Sequence, residues 1–137
     1  MTPWETWTAL LAKPAPERSA AEATIVRAYI LAMELEGGGL SAFLYNVSPA
    51  EGEPAAWLEL RATADALDAL DLPRPAERLR AIAMRFDQAG PSGATWDDRI
   101  QGAGPEGWLD AHAAAIEPLA DAILAALERY TRATFGT

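Results

Sequence analysis

Apolar positions recur at three- and four-residue steps along most of the chain, and no stretch alternates at period two for long enough to make a strand. Thr2-Pro3-Trp4-Glu5 predicts a helix start. Thr2 can cap it, Pro3 suits the first helical position, and Glu5 completes a capping box. Trp4, Trp7 and Leu11 are expected on one face of this first helix, which stops before Pro14. Ser19 and Glu22 form a second capping box, with Pro16 offering an earlier start. Residues 20–35 are then apolar on most sides. Val26, Ile30 and Met33 make one stripe, Ile25 and Tyr29 lie beside it, and Arg27 and Glu34 mark a narrow polar edge. A helix with so little polar surface is expected to be central.

Three glycines, Gly37, Gly38 and Gly39, follow and predict a sharp reversal, with Gly38 or Gly39 at positive φ. Residues 40–47 are expected as a two-turn helix and 48–54 as a loop. Residues 54–70 carry Trp57, Leu60, Ala64 and Leu67 inward, with Arg61, Asp65 and Asp68 opposite. Asp71-Leu72-Pro73 breaks that helix, and Pro75 opens the next, whose core face is Leu79, Ile82, Ala83 and Phe86. Residues 88–107 are loop-rich, with a capped turn at 95–98. A short helix at 108–115 precedes a final one at about 117–135, with Leu119, Ile123, Leu127 and Tyr130 inward and Pro118 in its first turn. The expected fold is all-α: a single compact domain over 1–137, with five or six helices around the central apolar one.

Composition fits one core rather than two: 137 residues, half of them hydrophobic, with five tryptophans. The absence of cysteine removes disulfides and thiolate metal sites and fits a reducing compartment. The first residues lack the basic start and long apolar core of a signal peptide, and no apolar run approaches the ~18 residues that span a bilayer. A soluble, cytoplasmic protein is expected, with no cofactor.

Charge alters the picture more. The net charge is −9 and unevenly spread. Residues 34–71 carry eight acids against Arg61 alone, and residues 87–128 carry eight against Arg99 alone. Between them Arg74, Arg78, Arg80 and Arg85 are opposed only by Glu77. A field of this overall sign repels nucleic acid and anionic lipid and favours a cationic partner. The expected partner is a protein, with no direct nucleic-acid or membrane contact.

Glu34-x-x-x-Gly38-Gly39, followed by Phe43-Leu44-Tyr45-Asn46, resembles the signature of the DUF4375 family, also described as DMP19-like after a DNA-mimic member. The family pattern runs roughly E-x-x-N-G-G-F-x-Q-F-F-x-N over a helix, a turn and a short helix. Glu34, Gly38, Gly39, Phe43 and Asn46 match it, whereas Gly37, Leu40 and Ala42 stand where the family has Asn, Phe and Gln. The resemblance extends to the flanking apolar helices, with a motif core over about 18–90. It implies a non-enzymatic protein that occupies the nucleic-acid-binding surface of a DNA-binding regulator.

The candidate chemistry divides three ways. First, carboxylates one helical turn apart can imitate a row of phosphates. Asp65, Asp68 and Asp71 are the candidates, with Asp97 and Asp98 as additions from the loop. Mimicry requires that they lack intramolecular arginine partners, and Arg61 is placed to pair with Asp65. Second, an exposed Trp-rich apolar surface would make this an interaction or structural domain, and such a surface is compatible with a homodimer. Third, His112 is the only histidine, and with Asp97, Asp98, Glu106 and Asp110 it could centre an enzyme or a metal site. The glycine turn invites an anion-site reading, but Glu34 and Glu36 lie just upstream and no base follows within nine residues, so a structural turn is expected. Asn46 is expected to bond local backbone or end the short helix, and Glu34 to pair with Arg27.

Overall fold

The computed structural model describes residues 1–47, 55–89 and 96–136. The expected loop at 48–54 and the cap at Thr95 lie outside the described residues, as does the side chain of Trp57. The described chain forms eight α-helices: α1 (Pro3–Ala12), α2 (Ala20–Gly37), α3 (Gly39–Asn46), α4 (Ala55–Ala69), α5 (Pro73–Ala89), α6 (Trp96–Gly102), α7 (Trp108–Ile116) and α8 (Ala120–Phe135). Single 3-10 turns lie at Ala15–Glu17 and Glu117–Leu119, and no strand occurs among the described residues. The fold is all-α. Helices exceed the expected five or six because the short α3, α6 and α7 are all separate elements.

Local sequence explains where the first two helices start. The Thr2 hydroxyl accepts from the Glu5 N–H, and the Glu5 carboxylate accepts from the Thr2 N–H. Ser19 and Glu22 repeat the arrangement at α2. The Ser19 backbone N–H and the Lys13 ammonium, 2.9 Å away, hold the Glu22 carboxyl below its ordinary value. Pro118 sits in the 3-10 turn ahead of α8, where its missing N–H costs no helical bond.

α2 is the central element and packs against α1, α3, α4 and α8. Ile25, Val26 and Tyr29 are buried as expected, but the C-terminal part of the expected stripe is not. Met33 is exposed and Ile30 only half-buried, whereas Ala28, Leu31 and Ala32 are fully buried with Ile25. Spacing among large residues passes over the alanines, whose small side chains let neighbouring helices approach. α1 is corrected likewise. Its buried residues are Pro3, Thr6, Trp7 and Leu10, while Leu11 and Trp4 face solvent. Trp4 touches the edges of Trp7 and Tyr29 at centroid distances of 6.3 and 5.8 Å yet stays 55% exposed. The predicted faces of α4 and α5 are the observed ones: Leu60, Ala64, Leu67, Leu79, Ile82, Ala83 and Phe86 are all buried.

The α2–α3 reversal uses its glycines unequally. Gly39 has φ +82°, the left-handed region expected there. A Cβ on Gly38 would lie 2.5 Å from the Ala42 Cβ, and a Cβ on Gly37 would meet nothing within 4 Å. Across the turn, the Asn46 side-chain amide donates to the Glu34 carboxylate at 2.9 Å, so two motif residues clamp α2 to α3. Asn46 thus ends the short helix but bonds a side chain rather than backbone. Arg27 is bonded to Glu59, not Glu34, because α4 packs alongside α2.

Candidate functional site

The α4–α5 hairpin carries the first set of candidate acids. Arg80, from the antiparallel α5, donates to Asp65 at 2.7 Å and to Asp68 at 2.5 Å. Arg61 pairs with Asp87 instead of Asp65. The expectation that Asp65 and Asp68 lack arginine partners is therefore overturned. An exposed ion pair contributes only about 0–1 kcal/mol to stability, but the one guanidinium shared by Asp65 and Asp68 halves the charge of the row that mimicry of phosphate requires.

Asp71 has a local role. It is the only non-glycine residue at positive φ among the described residues, at 61°. Its N–H donates to the Asp68 carbonyl and the Leu72 N–H donates to the Leu67 carbonyl, the paired closure of a left-handed helix end. Leu72 packs on the core and Pro73 starts α5. Asp tolerates this conformation better than most residues, and glycine better still. Asp71→Gly is expected to stabilise the protein by about 0.5–1 kcal/mol in chemical denaturation; destabilisation would argue that the carboxylate itself is needed.

The second set converges. Asp97, in the first turn of α6, lines a cleft of about 610 Å³ together with Glu106, Asp110, Gln101, Ser41 and Trp108. Among the described residues no lysine or arginine lines it. Asp98, one residue on, is not among its lining residues. The Trp108 indole fixes the cleft wall by donating to the Ile100 carbonyl at 2.5 Å, which ties α7 to α6. Among the described residues no cluster of three acids and histidines is tight enough for a metal ion. The cleft can instead surround one cationic side chain.

His112 faces away from these acids. One turn after Trp108, it meets that ring edge-on at 5.9 Å and lines a second cleft, between α5 and α7, with Arg74 and Arg78. Burial, then the Arg78 and Arg85 guanidiniums, lower its pKa below the ordinary 6.5. Its Nδ1 is buried without a hydrogen-bond partner among the described residues. Helix α7 thus separates an acidic cleft from a basic one, and the imidazole shares no site with Asp97, Glu106 or Asp110. The surplus of positive charge at 74–85 is plain in the sequence, but its arrangement around His112 is not. The 74, 78, 85 spacing along one helix was the available signal.

No helix among the described residues is long and apolar enough to cross a membrane. No family model, curated protein or solved structure matches the chain.

Proposed function

We propose that the protein acts by binding a basic segment of another protein, without catalysis, through the cleft between α6 and α7. The observation that carries this reading is the difference between its acidic surfaces. Asp65 and Asp68 are bridged by Arg80, whereas Asp97, Glu106 and Asp110 converge on a cleft with no basic lining residue. Carboxylates without a countercharge keep the field that draws in and orients an arginine or lysine. In its sharper form the partner is a DNA-binding regulator whose phosphate-contacting arginines enter the cleft, as the DMP19-like resemblance implies. The contact then moves from the α4 row to α6 and α7.

The test uses wild type and the Asp97→Asn/Glu106→Gln/Asp110→Asn variant as bait at low and high salt. A partner held by wild type at low salt should be lost from the variant, and the difference should shrink as salt screens the same charges. A partner retained equally by both baits would refute the cleft. A second reading rests on Trp4, which is 55% exposed beside Tyr29, with Leu11 also exposed on α1 and Met1 exposed ahead of it. Binding that resists salt but is lost in Trp4→Ser would favour that apolar surface.

A further inference from the structure

The arginines of α5 divide by face. Arg80 is held by Asp65 and Asp68 on the α4 side. Arg74, Arg78 and Arg85 recur at i, i+4 and i+11, a single stripe about 16 Å long at the helical rise. Among the described residues none of these three is ion-paired with a carboxylate. Arg85 lies over the Trp108 ring, 5.9 Å from its centroid. In a chain of net charge −9, guanidiniums left unpaired beside an imidazole form a site that an anion would relieve.

The geometry extends this to the shape of the ligand. Arg74, Arg78 and His112 line a cavity of about 650 Å³, with Glu77 as the one carboxylate in its wall. It shares Arg74, Pro75 and Leu119 with an adjoining cavity of about 240 Å³, also walled by Leu72, Pro73, Ala122 and Ile123, with Asp71 at its edge. The first compartment is cationic and the second mostly apolar.

We propose that this groove binds a small amphiphilic phosphate, its charged group among Arg74, Arg78 and His112 and its short apolar arm along Leu72, Leu119 and Ile123. A phosphate offers several oxygens to two guanidinium forks, which a lone carboxylate cannot match. A nucleic-acid strand suits the groove poorly, because beyond the stripe the surface is acidic and repels a long polyanion. This site is distinct from the acidic cleft and does not depend on it.

Calorimetry and the His112 imidazole NMR signal, with hexyl phosphate and inorganic phosphate as probes at low ionic strength, test the proposal. Hexyl phosphate should bind saturably and at least tenfold more tightly than inorganic phosphate, since each fully buried methylene adds about fourfold. The bound anion should raise the His112 pKa against the lowering by burial, Arg78 and Arg85, with Arg74 and Glu77 the other charged groups in the cavity wall. Arg74→Gln/Arg78→Gln should weaken both probes at least tenfold. Ala122→Gln, at an exposed position, should weaken hexyl phosphate only. Equal affinity for the two probes, an unmoved His112 signal, or full binding by the double arginine variant would overturn it. Sedimentation with phosphatidylcholine–phosphatidic acid vesicles in the absence of hexyl phosphate binding would overturn it in favour of a membrane surface.

Discussion

Gly39→Val is expected to lower the melting temperature by on the order of 10 °C, from a loss of about 2–4 kcal/mol. Two effects act at Gly39, and the backbone dominates. At φ +82° any Cβ costs about 1–2 kcal/mol, and a β-branched side chain more. The new Cβ would also fall on the Glu117 carboxylate. That carboxylate ends a flexible side chain and can swing aside, but it accepts the Leu40 N–H at 3.3 Å, so moving it uncaps α3. Gly37→Ala is the control of opposite sign. It sits at the helical end of α2 with open space around its Cβ, and a gain of about 0.5–1 kcal/mol is expected. Thermal unfolding followed by circular dichroism checks both. A valine variant that melts with wild type would remove the strain argument.

Trp7→Ala is expected to cost about 3–5 kcal/mol, the range for truncating a buried tryptophan. Trp7 is buried against Tyr29, and its indole N–H donates to the Thr131 hydroxyl at 2.8 Å. Thr131 is fully buried and donates in turn to the Leu127 carbonyl. The bond fastens α1 to α8, and Thr131→Val should cost about 1–3 kcal/mol by leaving the indole N–H without an acceptor. In a Trp7→Phe background the same threonine change should cost little, because the donor is gone. Urea denaturation of the four proteins measures the coupling, and additive losses would mean that the hydrogen bond contributes nothing.

Features that depend on neighbours in sequence were legible before the structure. Both capping boxes join residues three apart, and the α4 and α5 faces follow from apolar spacing alone. The glycine turn was legible because a left-handed residue between two helices leaves few candidates. What could not be read depends on how helices meet. Arg80 reaches Asp65 and Asp68 only because α5 returns antiparallel along α4. Helical spacing cannot distinguish Leu10 from Leu11 as the core residue until α2 and α8 fix the rotation of α1. The acidic cleft shows both limits. Its carboxylates stand out in the sequence, but their convergence around Trp108 requires the α6–α7 packing.

The N-terminus of α3 carries its own consequence for hydrogen exchange. First-turn amides of an eight-residue helix ordinarily exchange with little protection, because no intrahelical carbonyl holds them. The Leu40 amide is instead held by Glu117, 77 residues away, in the turn that leads into α8. Its exchange is therefore expected to be slower than that of an uncapped first-turn amide, and its protection reports on a side chain from the segment leading into α8 rather than on α3 alone.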